Sequence, residues 1–124
     1  MLLNLVTPLH ERTKRDYMAR LMDDKVACMK KAREFERDYW DGERRFGYGG
    51  YKYDGRWEKV ARGLIDRYDL VPGDSVLDIG CGKGAFTHRI KKQFPKAKIA
   101  AIDISSTAIQ KAKMANPDYF LICM

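Results

Sequence analysis

The stretch Val76-Leu-Asp-Ile-Gly-Cys-Gly-Lys-Gly84 constrains this chain more than any other. A short apolar run carrying one acid, Asp78, breaks into three glycines at alternate positions. That pattern reads as a buried strand running into a turn stripped of side chains. There backbone can approach a ligand closely, which glycine alone permits cheaply. A second apolar run, Ile99-Ala-Ala-Ile, ends in Asp103 about twenty residues on, the spacing of the acid in nucleotide-binding βαβ units. Strand, glycine turn, helix, strand and acid describe a nucleotide-type site at the carboxyl ends of parallel strands.

Two ligand chemistries compete for such a turn. A dinucleotide site asks for G-x-G-x-x-G/A, and Gly80, Gly82 and Ala85 satisfy it, so spacing alone does not decide. Asp78 does. A pyrophosphate lying close to the turn would be repelled by a carboxylate two residues before the first glycine. S-adenosylmethionine presents an ammonium and a sulfonium, which the same acid attracts. Gly84 points the same way, because it frees the backbone at every second residue.

Around the motif the chain reads as alternating helices and strands. Thr13 to Tyr39 carries apolar residues (Tyr17, Leu21, Cys28, Ala32, Phe35, Tyr39) mostly at steps of three, four or seven, widened by Met18, Met22, Val26 and Met29. It predicts one long helix packed on the sheet. Phe46–Trp57 is a glycine- and tyrosine-rich loop. A helix is expected over Arg56–Leu70, a strand at the motif, and a crossover helix over Ala85–Phe94. A second strand over Ala97–Asp103 and a helix capped by Ser105 or Ser106 follow, then a third strand over Tyr119–Cys123. The order β-α-β-α-β requires right-handed crossovers and a parallel sheet, with the third strand beyond the second. The fold class is therefore α/β, a Rossmann-like parallel sheet of order 3-2-1 behind an amino-terminal helical extension. The expected boundary separates residues 1–56, helix and loop, from the partial sheet domain of 57–124.

The net charge of +7 is unevenly placed. Residues 75–124 hold Lys83, Arg89, Lys91, Lys92, Lys96, Lys98, Lys111 and Lys113 against Asp78, Asp103 and Asp118. A solvated outer face of the crossover helices accounts for this, and a basic face for RNA is the alternative. Cys28, Cys81 and Cys123 form neither a disulfide framework nor a zinc pattern, and His10 and His88 are isolated, so no metal is expected. Cys81 suits a crowded turn as a small residue. No apolar run reaches the roughly 18 residues of a membrane span, the start is no convincing signal peptide, and a cytoplasmic location is expected.

Val76–Gly84 resembles the first motif of the class I S-adenosylmethionine-dependent methyltransferases in its acid and its glycines, and Asp103 resembles the acid ending that family's second strand. The resemblance covers residues 57–124. It implies that Asp78 lies near the methionyl ammonium and that Gly80, Cys81, Gly82 and Gly84 bring backbone to the cofactor. It further implies that Asp103 accepts both ribose hydroxyls and that Ile104 touches the adenine. The family's sheet continues with a fourth strand against the free edge of the first. This chain therefore reads as the amino-terminal, cofactor-binding half of such an enzyme, with further chain or an oligomeric partner covering that edge. The segment that commonly faces the transferred methyl lies beyond these motifs, so no catalytic base is named.

The Phe46–Trp57 loop has three readings. It is a lid placing Tyr48, Tyr51 or Tyr53 on cofactor or substrate, since aromatic faces suit a sulfonium. It is a nucleobase-stacking surface helped by Arg44, Arg45 and Lys52. Or it joins two helices and buries its rings. The expected acceptor is a small metabolite or carbohydrate precursor, with RNA the alternative. A non-catalytic module that binds an adenosyl ligand or a partner is the rival from another class.

Overall fold

A computed structural model describes residues 4–11, 16–50, 52–117 and 120–123. Three strands form one parallel sheet: β1 (Ser75–Ile79), β2 (Lys98–Asp103) and β3 (Phe120–Cys123), in the order β1-β2-β3. Asp78 stands beside Ala101, and Asp103 beside Cys123. The ladder runs on into the glycine turn, where the N–H groups of Gly80 and Cys81 both donate to the Ile102 carbonyl, at 2.8 and 3.0 Å.

The crossovers are α6 (Ala85–Gln93) and α7 (Ser106–Ala115), with α5 (Trp57–Arg67) packed on α6. The core lies between sheet and helices. Ala101, Ile109 and Ala112 form its centre with Cys81 against them, and Val60, Ala61, Ile90 and Ala97 extend it. Trp57 meets Phe86 edge to face, ring centroids 6.2 Å apart. The first strand is not buried on both faces as its apolar run suggests. Val76 and Asp78 turn toward the helices, while Leu77 and Ile79 are 58% and 74% exposed on the sheet's other face, which no described element covers.

The amino-terminal segment differs from the one long helix that periodicity predicts. It is divided into α1 (Thr7–His10), α2 (Tyr17–Leu21), α3 (Lys25–Ala32) and α4 (Arg37–Asp41); Thr13 lies outside the described residues. Local chemistry makes the breaks. Asp16 accepts from the Ala19 N–H and starts α2, and Asp24 accepts from Val26 and Ala27 and starts α3. Aspartate competes with the helical backbone in this way and so begins helices rather than continuing them. Phe35 then takes φ +51, a left-handed turn between α3 and α4. As a result Met18, Leu21, Met22, Val26 and Met29 are exposed rather than packed on the sheet; α4 reaches the sheet unit through α7, and Leu5 lies against Gly63 of α5.

Candidate functional site

The site forms where β1 and β2 end side by side. Gly80, Gly82 and Gly84 have φ of +79, +54 and +73, the left-handed region that favours glycine. A Cβ on Gly84 would stand 3.2 Å from the Ala112 Cβ, so this glycine also lets the turn lie close to α7. Nothing lies within 4 Å of where a Cβ on Gly80 would stand, whereas at Gly82 the Trp40 ring occupies that space.

Asp103 joins those loops. Its Oδ2 accepts from the Gly82 N–H at 2.7 Å and its Oδ1 from the Ser105 N–H at 2.8 Å. A carboxylate offers about four lone-pair positions, so one acceptor direction on each oxygen remains for a ligand donor. Ile104 follows, 65% exposed, an apolar surface beside that carboxylate.

Asp78 points toward α6, where the buried Thr87 hydroxyl donates to its Oδ2 at 2.5 Å. Burial pushes the Asp78 carboxyl above the usual carboxylate range; the Thr87 hydrogen bond opposes this, and the negative charge of Asp103 adds to it. Cys81 turns its side chain onto Ala101, Ile109 and Ala112, and burial, with Asp78 and Asp103 nearby, pushes its thiol up to about 12. It is a neutral, space-filling residue, not a nucleophile. Among the described residues no cluster of histidine, cysteine and carboxylate side chains could hold a metal ion.

Four residues at this site carry no signal in the sequence motif. Trp40 of α4 lies against the glycine turn: its Nε1 donates to Ser105 Oγ at 2.8 Å and to the Phe35 carbonyl at 3.0 Å. Ser105 is fully buried, and its hydroxyl also accepts from the Ala108 N–H as the cap of α7. Asp41 bonds Lys83 of the turn at 2.7 Å and also pairs with Lys111 of α7. Glu36 accepts from the hydroxyls of Ser106 and Thr107, which hold its carboxyl below the usual range. Of the four, Ser105 alone is marked in the sequence, as a candidate cap of the helix that follows.

Of the three tyrosines expected as a lid, Tyr48 stacks on Trp40, centroids 5.0 Å apart and planes within 7°. Tyr53 lies under the Arg89 guanidinium at 4.5 Å, beside α6, and its hydroxyl is buried without a hydrogen-bond partner. Tyr51 lies outside the described residues. Several of the basic side chains are engaged within the chain: Lys83 and Lys111 by Asp41, and Lys91 by the Ala97 carbonyl at 2.7 Å.

Comparison with known proteins adds a family to this geometry. Residues 70–118 match the family model described as a methyltransferase domain. The malonyl-acyl-carrier-protein O-methyltransferase 1 of Ilyobacter polytropus is 33% identical over 73 residues, covering 55% of this chain and 27% of its own. The trans-aconitate 2-methyltransferase of Afipia carboxidovorans is 31% identical over 67 residues, 54% of this chain and 26% of its own. The ribosomal RNA small subunit methyltransferase C of Pseudomonas entomophila is 30% identical over 60 residues, 48% of this chain and 18% of its own. The match spans about a quarter or less of the length of these relatives. Among solved structures, a coclaurine N-methyltransferase bound to N-methylheliamine and SAH superposes with a TM-score of 0.51 at 16% identity, covering 97% of this chain and 41% of that one. That likeness is one of fold, a Rossmann-like α/β domain. Among the described residues no helix is long and apolar enough to cross a membrane.

Proposed function

We propose, for a chain that belongs to the class I S-adenosylmethionine-dependent methyltransferases, that residues 57–124 hold the cofactor for methyl transfer to a small metabolite. The observation that carries this reading is Asp103, fixed across the glycine turn by the Gly82 and Ser105 N–H groups. A carboxylate held this way is oriented before a ligand arrives and keeps acceptor capacity for a pair of ribose hydroxyls. Ile104 offers the adenine an apolar face. Asp78 and Asp103 give the crevice a negative field that suits an ammonium and a sulfonium and repels a diphosphate. Gly80 leaves the turn's backbone open for the methionyl part, Trp40 covers Gly82, Gly84 lets the turn approach α7, and Cys81 packs the turn from behind.

S-adenosylmethionine supplies an electrophilic sulfonium methyl group, so the reaction's hard chemistry belongs to the cofactor. The task left to the protein is to hold donor and acceptor in line, worth up to roughly 7–11 kcal/mol of barrier. This chain contributes the donor's half of that alignment.

The small acceptor is supported by trans-aconitate in the name of one relative and by the internal pairing of Lys83, Lys91 and Lys111, which leaves less free charge for a phosphate backbone. The ribosomal RNA relative makes RNA the alternative acceptor. A cytoplasmic setting is part of the same proposal.

Titration calorimetry tests the reading. S-adenosylmethionine should bind the wild type, NAD should not, and Asp103→Ala should weaken S-adenosylmethionine at least tenfold. Equal affinity in that variant would remove Asp103 from the site. Salt-sensitive RNA binding would move the acceptor to RNA.

A further inference from the structure

Resting on the adenosyl-ligand reading above, we propose that Trp40 is a ligand-facing wall of this site and that Asp41 positions it. The indole spans the crevice. Its ring edge lies so close to the turn that a Cβ on Gly82 would fall 2.6 Å from Trp40 Cη2 and 3.2 Å from Cζ3, and its Nε1 reaches Ser105, two residues past Asp103. The two loops it bridges are those between which a ribose would lie on Asp103. A ligand resting on the Gly82 backbone therefore meets this ring first. Tyr48 stands behind Trp40, and Tyr53 faces Arg89.

The ring is either part of the ligand site or an obstacle to it, and the way α4 is anchored favours the first. Asp41 ties the end of α4 to Lys83 in the turn and to Lys111 on α7. Glu36 ties its start to Ser106 and Thr107. Tyr39 packs edge-on against Trp40 at 5.2 Å. With the arm fastened at both ends, the Nε1 bonds to Ser105 and the Phe35 carbonyl and the Tyr48 stack hold the indole at the glycine turn, where a wall of the site would stand. The ring also already faces a cation, Lys83 Nζ at 5.9 Å from its centroid. A sulfonium or ammonium is drawn to the same quadrupole, so Trp40 and the Asp103 carboxylate, both joined to the Gly82 and Ser105 loops, select one charge type together. Asp41 acts through Trp40 and touches no ligand.

The test uses the full chain in a Trp57→Phe background, leaving Trp40 as the single indole. Adding S-adenosylmethionine should change its emission. By calorimetry Trp40→Ala should weaken S-adenosylmethionine at least tenfold but S-adenosylhomocysteine, which lacks the positive sulfur, only about threefold. Asp41→Asn should weaken both a few-fold and reduce the salt dependence of binding, because the bridges that hold α4 are screened by salt. Should Trp40→Ala fail to fold by circular dichroism, Trp40→Leu keeps an apolar filler without the quadrupole, and its preference for the methylated ligand should fall about threefold. Unchanged or tighter S-adenosylmethionine binding in Trp40→Ala, or an unchanged preference in Trp40→Leu, overturns the assignment. A wild type that binds no S-adenosylmethionine overturns the cofactor reading beneath it.

Discussion

The sheet unit and the amino-terminal helices are built on different rules. From Ser75 to Cys123 each element closes on its neighbour through the β ladder or a buried face: Ala101, Ala108 and Ala112 are fully buried, and Ile90 and Ile109 are 2% exposed. From Tyr17 to Ala32 no residue is buried, and Met22 is 83% exposed although it belongs to the same kind of apolar stripe. An apolar stripe therefore marks a face available for packing, and whether that face is covered depends on topology. What the amino-terminal segment gives the site comes through a few polar anchors on α4, not through hydrophobic area.

Substitutions can break this contrast. The largest effect is expected from Gly82→Val, which forces a β-branched residue to φ +54 and drives a Cβ into Trp40. Strain and overpacking together should cost roughly 2–5 kcal/mol, and S-adenosylmethionine binding should be lost; denaturant melts and calorimetry read both. Ile90→Ala, in the core between α6 and the sheet, should lower stability by about 2–4 kcal/mol through transfer and cavity terms, with a shift in urea midpoint. At the other end of the scale, Met22→Ala should change stability by less than about 0.5 kcal/mol. A large loss there would mean that the amino-terminal stripe is covered after all.

Between these lies a pH effect. Burial raises the folded-state pKa of Asp78, so between the unfolded and the folded value the native state holds the extra proton. The stability this group contributes is thus fully present below the unfolded pKa, about 3.9, and is lost as pH rises through the folded pKa. Asp78→Asn cannot ionise. The wild type's stability relative to this variant should therefore be greatest near pH 4 and fall toward neutrality, as thermal melts at the two pH values would show. The opposite trend would mean that the Thr87 hydrogen bond, not burial, governs this carboxyl.

Much of the sheet unit is legible in the sequence because its signals are local. The apolar runs place β1 and β2 to within a residue or so, Pro95 and Asn116-Pro117 end α6 and α7, and Ser105 caps α7 as its type and position suggest. The amino-terminal segment was not legible, because a periodicity count does not weigh Asp16 and Asp24 as competing caps or see Phe35 turn left-handed. Nor could spacing reveal Trp40 at Ser105, a contact across 65 residues, or the double pairing of Asp41. Both depend on where α4 lands after Phe35. Asp78 shows a subtler limit: its type implies a charge at the ligand, whereas its strand position also gives it Thr87 as a partner.

The function of this site depends on whether the loops joined by Asp103 receive a cationic adenosyl compound. Following the backbone amide resonances of Gly82 and Ser105 by NMR during titration tests this most directly, because both N–H groups are bonded to that carboxylate. S-adenosylmethionine should shift both resonances at saturable concentrations while NAD leaves them in place. Shifts with NAD and none with S-adenosylmethionine would contradict this.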